Sequence, residues 1–109
     1  MDRTAPFTAL RAFEAAARHL SFAAAADELN VTPAALSFQI RSLEEHLGAP
    51  VFHRRNRAVD LTEIGKALYP GIAEGLTTLT RSWGAARRRI TASSLTITAG
   101  PAFTAKWLA

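Results

Sequence analysis

Hydrophobic positions in the first fifty residues recur every three or four residues, which predicts three short helices. The first helix spans Phe7 to Leu20, and a second, alanine-rich helix follows Ser21. The third begins at Pro33. The predicted core-facing residues are Phe7, Leu10, Phe13, Ala17 and Leu20 in the first helix and Leu36, Ile40, Leu43 and Leu47 in the third. Helices this short bury their apolar stripes only by packing on one another, so the three should form one domain.

Local start and stop signals divide the second helix from the third. Ser21 supplies a hydroxyl N-cap, and Asn30 stands where a left-handed residue is needed to end the helix. Thr32 followed by Pro33 restarts the chain with an N-cap and a proline at the first helical position. Gly48 ends the third helix. Two short helices joined by a tight turn predict a helix-turn-helix.

A basic hairpin is predicted directly after Pro50. Val51 and Phe52 form one short strand, residues 59–61 form the other, and a polar tip between them holds three arginines, Arg54, Arg55 and Arg57. One guanidinium group can form two parallel hydrogen bonds to phosphate oxygens, and it also fits a narrow minor groove. This hairpin therefore indicates a DNA-binding wing. An ordinary three-helix domain with a solvated basic loop is the alternative.

A long helix is predicted from the N-cap Thr62 to about Arg89, with Pro70, Gly71 and Gly75 as positions where it could bend. Its apolar residues step by three or four, and we expect them to mediate dimerisation rather than pack back on the domain. The predicted dimerisation residues are Ile64, Leu68, Ile72, Leu76, Leu79 and Trp83, and Ala86 and Ile90 continue the stripe.

Composition favours a polyanionic partner and argues against catalysis. Thirteen basic residues outnumber nine acidic ones, which gives a net charge of +4. No cysteine is present, the three histidines fall on different elements, and neither a phosphate-binding loop nor a nucleophile triad is visible. We therefore predict no enzyme activity, metal or cofactor. Without a signal peptide or a membrane-length apolar run, a cytoplasmic protein is expected. The arginines at 87–89 are interpreted as offsetting the helix dipole.

Several motifs give the chain a resemblance to LysR-type transcriptional regulators. They are LRAFEAAARHLSF, AA-x-x-L, S-x-Q-I-x-x-LE-x-x-LG, F-x-R-x-x-R and LT-x-x-G, and the resemblance covers residues 5–90. The first motif is most similar to the branch with glycine-cleavage activators and β-lactamase regulators. The resemblance implies a mainly α protein: a winged helix-turn-helix, a long dimerisation helix, and a short strand-helix stub of an α/β effector domain.

The resemblance also implies roles for individual residues. The recognition helix starts at Thr32 and Pro33, and Ser21 lies near a phosphate. The implied groove-facing residues are Ala34, Ser37 and Phe38, those near the backbone are Gln39 and Arg41, and those of the wing are Arg54 and Arg57, with Arg55 as an addition. The family more often has glutamine at 33, arginine or histidine at 38, and a polar residue at 24. Because Phe38 falls off the core stripe, it should be exposed, with thymine methyl groups as a possible contact.

The predicted organisation is a DNA-binding domain at 1–61, a linker and dimerisation helix at 62–90, and the start of an effector-binding domain at 91–109. In the last segment we expect a strand at 95–99, a turn at Gly100 and Pro101, and a helix at 102–108. The expected partners are an inverted-repeat DNA operator and a second copy of the chain, with higher oligomers left open. The chain is either a fragment or a truncated regulator. A small-molecule effector applies only if the natural chain has the remaining domain, and the alternative function is a dimerisation module that modulates a full-length regulator.

Overall fold

The computed structural model describes residues 6–55 and 58–96. Its elements are α1 (Phe7–His19), α2 (Phe22–Leu29), α3 (Pro33–Leu47), β1 (Phe52–Arg55), β2 (Ala58–Leu61) and α4 (Glu63–Thr96). β1 and β2 pair antiparallel, with Phe52 opposite Leu61 and Arg54 opposite Val59. Two compact units divide the chain, one ending at Leu76 and the other beginning at Thr77. The predicted winged helix-turn-helix and long helix are therefore confirmed.

Helices α1, α2 and α3 and the start of the hairpin surround one core in the first unit. Its largest fully buried side chains are Phe13, Leu36, Ile40 and Val51. The Phe13 ring lies 5.6 Å from the Phe52 ring, centroid to centroid. Alanines make up most of the remaining core, and their small side chains permit close approach of the helices. They are Ala9, Ala12, Ala15, Ala16, Ala17, Ala25 and Ala26.

Three residues predicted to face the core are instead about half exposed. Phe7 is 53% exposed, Leu20 is 51% exposed and Leu47 is 44% exposed. Phe7 is the first residue of α1, and the alanine side of that helix makes the core contacts. Leu20 is the C-cap with φ 52°, so it leaves the helical phase that placed it on the stripe. Leu47 is the last residue of α3, where Val51 and Phe52 fill the core instead.

Helix α4 is longer than the sequence predicted. It runs to Thr96 and includes Pro70, so the strand predicted from Leu95 is wrong for residues 95 and 96. A helix that already exists extends at little cost, because each added residue gains a hydrogen bond without a new nucleus. That gain outweighs the weak strand preference of the local sequence. The rest of the predicted strand, turn and helix lies outside the described residues.

Candidate nucleic-acid interface

The turn between α2 and α3 is fixed by its own backbone and cap hydrogen bonds. Asn30 adopts φ 61°, as predicted for the residue that ends α2. The Val31 amide donates to the Ala26 carbonyl at 3.0 Å. Thr32 Oγ1 accepts from the Ala35 amide at 3.1 Å, which caps α3 ahead of Pro33. These contacts set where α3 begins and which of its faces points away from the core.

Helix α3 has one buried face and one exposed face. Leu36, Ile40 and Leu43 are buried, which confirms three of its four predicted core residues. The predicted DNA-binding residues lie off this buried stripe. Thr32, Pro33, Ala34 and Arg41 are exposed, Ser37 and Gln39 are half-buried, and Phe38 is 60% exposed. The prediction that Phe38 lies off the core stripe is therefore confirmed.

Ser21 serves the local structure of α2. Its Oγ accepts a hydrogen bond from the Ala24 amide at 3.0 Å, which confirms the predicted N-cap. The side chain is half-buried. A hydroxyl can accept and donate at the same time, so its O–H group can still donate a hydrogen bond to another acceptor, such as a phosphate oxygen.

The hairpin arginines differ from the predicted arrangement. Arg54 and Arg55 lie within β1 rather than at the tip. The Arg54 guanidinium lies 5.4 Å from the centroid of the Phe22 ring and donates to Glu44 Oε1 at 3.4 Å. Arg55 is exposed, and no carboxylate of the described ranges pairs with it. Strand pairing of residues 54 and 55 with Val59 and Ala58 shortens the loop, which is the reason for the difference. Arg57 lies outside the described residues.

Glu44 links α3 to the hairpin, a role that the sequence did not reveal. Its Oε2 accepts from the Val51 amide at 2.9 Å, and its Oε1 accepts from Arg54 at 3.4 Å. Its side chain is only 14% exposed. One carboxylate on α3 thereby holds both the entry to β1 and a basic side chain of the strand. Its sequence signal was its place in the LE-x-x-LG part of the family motif near the end of α3, which does not show its partners.

Thr62 and Gly65 attach the end of the hairpin to the start of α4. The Thr62 amide donates to the Val51 carbonyl at 3.0 Å, and Thr62 Oγ1 donates to the Pro50 carbonyl at 2.9 Å. The same Oγ1 accepts from the Gly65 amide at 3.0 Å, as predicted for an N-cap. The L-T-x-x-G motif therefore fixes the first turn of α4 relative to the hairpin.

A charged cluster joins α1 to α2. Arg18 donates to both Glu14 (2.8 Å) and Glu28 (2.7 Å), and His19 Nε2 lies 2.6 Å from Glu28 Oε1. Hydrogen bonds from Arg18 and then His19 lower the pKa of Glu28 to about 2. The hydrogen bonds that Arg18 makes with Glu14 and Glu28 raise its own pKa. Tyr69 donates to Glu14 at 3.4 Å, and burial raises the pKa of its phenol. The Arg18–Glu14 pair is local, four residues apart on α1, whereas the contacts to Glu28 and Tyr69 link different helices, so sequence spacing did not reveal the cluster.

The predicted dimerisation residues fall into two groups. In the first unit, Leu68 and Ile72 are partly buried against the core, Leu76 is half-buried and Ile64 is 46% exposed. In the second unit, Leu79 is 55% exposed and Trp83 is 70% exposed. The two described ranges contain no helix long and apolar enough to span a membrane.

Comparison with known proteins gives concordant matches. Residues 7–66 match the family model described as "Bacterial regulatory helix-turn-helix protein, lysR family". The chain is 47% identical over 106 residues to the glycine cleavage system transcriptional activator of Escherichia coli K12, covering 97% of the chain and 35% of the relative. It is 46% identical over 107 residues to the transcriptional activator AmpR of Pseudomonas aeruginosa PAO1, and the match covers 94% of this chain and 35% of that relative. The chain thus spans about a third of the length of these curated relatives.

Solved structures match as well. The one described as "Crystal structure of CbnR_DBD-DNA complex" has a TM-score of 0.67 at 30% identity, covering 78% of this chain and 98% of that one. The one described as "Crystal Structure of BenM_DBD/benA site 1 DNA Complex" has a TM-score of 0.68 at 32% identity, and the match covers 76% of this chain and 96% of that one.

Proposed function

Because the chain belongs to the LysR family of bacterial regulatory helix-turn-helix proteins, we propose that it binds double-stranded DNA as a dimeric transcriptional regulator. Helix α3 enters the major groove, and the hairpin contacts the adjacent backbone or minor groove. The observation that carries this proposal is the exposed face of α3, which begins at a fixed turn and lies opposite the buried stripe. Two solved neighbours are described as DNA complexes, which supports the same mode of binding.

Base reading falls to the exposed side of α3. Thr32 and Pro33 begin the helix, and Ala34, Ser37 and Phe38 face the base edges. The N-terminal part of a recognition helix is the part that reaches base edges in helix-turn-helix proteins. Only Ser37 in the groove-facing trio has a side chain that can form a hydrogen bond to a base.

Backbone contacts fall to the residues around this face. Ser21, Gln39, Arg41, Arg55 and Arg57 bind phosphate or sugar, and contacts of that kind set position without reading sequence. Arg54 has a different role from that of Arg55, because Phe22 and Glu44 hold its guanidinium. It orients β1 and adds positive charge to the hairpin surface.

Dimerisation falls to α4 within the proposed linker at 62–90. Leu79 and Trp83 in the second unit are exposed apolar residues on a helix, the kind of surface that self-association buries. A two-fold dimer would present two copies of α3 to half-sites separated by one helical turn of DNA, about 34 Å, or a multiple of it. The proposed interface also includes the exposed parts of four residues in the first unit: Ile64, Leu68, Ile72 and Leu76.

The dimer is tested by sedimentation equilibrium of a substituted chain. Trp83→Glu should shift the protein to monomer. In the proposed dimer the two copies of Trp83 are buried at the interface, and the substitution would put an unpaired carboxylate in the place of each. Ser82→Glu adds the same charge at the preceding exposed position and should leave the dimer in place. Equal effects of the two substitutions would contradict the assignment of Trp83.

A second candidate is a dimerisation module that modulates a full-length regulator and senses no effector. The exposed apolar residues of α4 favour it, since they suit pairing with a related helix.

In a longer natural chain, the segment at 91–109 would begin an effector-binding domain and a small molecule would be a further partner. As a DNA-binding regulator and not an enzyme, the protein would act at the bacterial chromosome, in the cytoplasm.

The experiment that tests DNA binding is selection of bound duplexes from a random pool at two salt concentrations. The proposal predicts an enriched inverted repeat and an affinity that falls steeply with salt, because bound cationic side chains displace counterions. Arg55→Ala should reduce the slope of log affinity against log salt by about 1 per protomer, whereas Arg11→Ala, an exposed control on α1, should not. No binding to any duplex would contradict the proposal and favour the dimerisation module.

A further inference from the structure

The exposed face of α3 is apolar at the place where a DNA reader ordinarily carries hydrogen-bonding side chains. Phe38 is 60% exposed, the highest value among the large hydrophobic residues that the structure describes in the first unit. Ala34 precedes it by four residues and is also exposed, so the two side chains are neighbours on one helix face. Arg41 follows three residues later on the same side. Between the start of α3 and Arg41, its first cation, the exposed side chains of this face are thus a methyl group and an aromatic ring, with Ser37 half-buried beside them.

Only one feature of the major groove matches an apolar side chain. Guanine, adenine and the exocyclic groups of the other bases present donors and acceptors, whereas thymine presents its C5-methyl group. A cytosine methylated at C5 carries the same methyl group at the same place. Phe38 has no donor or acceptor, so it discriminates by burying the methyl group and is indifferent to the hydrogen-bonding edge of the pyrimidine.

On the premise of the proposed DNA binding, we propose that Phe38, with Ala34 beside it, reads the C5-methyl group of a pyrimidine in each half-site. Thymine is the base that it selects, and 5-methylcytosine is accepted in its place. Cytosine methylation at that position therefore increases affinity, which makes the operator sensitive to DNA methylation. The surface is continuous with the rest of the α3 face proposed to enter the groove, so its occupant is duplex DNA.

The test begins with the duplex enriched by selection and replaces each thymine in turn with uracil. This change removes one methyl group and leaves the hydrogen-bonding edge intact. Burial of one methyl-sized group corresponds to about a fourfold change in Kd, and the same change in both half-sites to about fifteenfold. We expect this loss at one position of each half-site. A second duplex set has cytosine at that position, with and without the C5-methyl group, and methylation should restore about fourfold.

Two variants assign the effect to its side chain. Phe38→Ala should bind the thymine and uracil duplexes equally, with its thermal melting unchanged because the ring is exposed. Phe7→Ala removes a similarly exposed ring, 53% accessible on α1, and should keep the fourfold preference.

The outcomes separate this inference from the function on which it rests. Tight binding of the enriched duplex with no uracil-sensitive position would overturn methyl reading and leave DNA binding in place. Methyl dependence that survives Phe38→Ala would do the same. Salt-sensitive binding without any enriched sequence would also contradict methyl reading, whereas no binding to any duplex would overturn the proposed function itself.

Discussion

Gly65→Ala is expected to destabilise the protein, although alanine is the better helix former. An alanine Cβ at this position would overlap the Val51 carbonyl oxygen and lie 2.9 Å from Leu61 Cδ2. The Val51 carbonyl is backbone, and it already accepts the Thr62 amide at 3.0 Å. It cannot move away without weakening the bond between the hairpin and α4.

The magnitude follows from two opposing contributions. Forcing a methyl group into a packed site costs roughly 1–3 kcal/mol. Replacing glycine by alanine inside a helix returns about 1 kcal/mol. The net change is a fall of roughly 0–2 kcal/mol in the free energy of unfolding, and the upper end is expected because the overlap is with backbone. A fall of about 2 kcal/mol lowers Tm by roughly 10 °C for a domain of this size.

Gly71→Ala is the matched control, because it makes the same substitution in the same helix. Apart from its chain neighbours and the backbone of its own helix, no described atom lies within 4 Å of the position that its Cβ would occupy. Here only the helix preference remains, so stability should rise by up to about 1 kcal/mol. The two variants should therefore change Tm in opposite directions.

Thermal unfolding followed by circular dichroism at 222 nm, at one protein concentration, measures the difference. If Gly65→Ala melted at or above the temperature of Gly71→Ala, the close packing of α4 against the Val51 carbonyl would be refuted. The glycine of the L-T-x-x-G motif would then have no packing role at this position.

Three further predictions concern the elements that hold the interface. Arg54→Ala should lower the free energy of unfolding by about 1 kcal/mol in urea denaturation, because it removes the ring and carboxylate contacts, whereas Arg55→Ala should change it by less than about 0.5 kcal/mol. The Glu28 pKa is lowered, so its stabilisation is present above its ordinary pKa of 4.5 and disappears as pH falls towards 2. A Glu28→Gln variant should be about 1 kcal/mol less stable at pH 7, since exposure of the Arg18 pair limits the effect, and equally stable near pH 2. Gly48→Ala should cost about 1 kcal/mol in the same assay, because φ 88° disfavours a Cβ.

The sequence was most informative where structure is decided within a few residues. The caps at Ser21, Thr32 and Thr62, the left-handed Asn30 and the glycine end of α3 all follow from local backbone chemistry. Each of these signals acts through hydrogen bonds or φ values that involve near neighbours. The helix-turn-helix was therefore predictable from residue types and spacing alone.

Features that depend on tertiary partners were beyond the same reasoning. Periodicity identifies an apolar stripe but not how far a neighbouring element covers it, which is why Phe7 and Leu47 are about half exposed. Leu20 differs for a local reason, because as the left-handed C-cap it leaves the helical phase. The position of Arg54 on Phe22 depends on strand pairing that continues to Arg55, three residues beyond the predicted end of the first strand at Phe52.

Glu44 shows how a residue outside the contact surface can matter for it. Its carboxylate accepts from Val51 at the entry to β1 and from Arg54 within the strand, while its backbone belongs to α3. The recognition helix and the hairpin are thus joined by one partly buried side chain. This coupling fixes the hairpin relative to α3, so both elements meet the duplex with a set spacing.

In the proposed mode of binding, α3 reads the base sequence, whereas Arg55 of the hairpin adds affinity for any duplex. The most direct measurement is the ratio of Kd for a scrambled duplex to Kd for the selected duplex, in the native chain, Ser37→Ala and Arg55→Ala. We predict that Ser37→Ala changes this ratio, whereas Arg55→Ala weakens binding to both duplexes alike and leaves the ratio unchanged. Identical changes of the ratio in the two variants would contradict the division of roles between α3 and the hairpin.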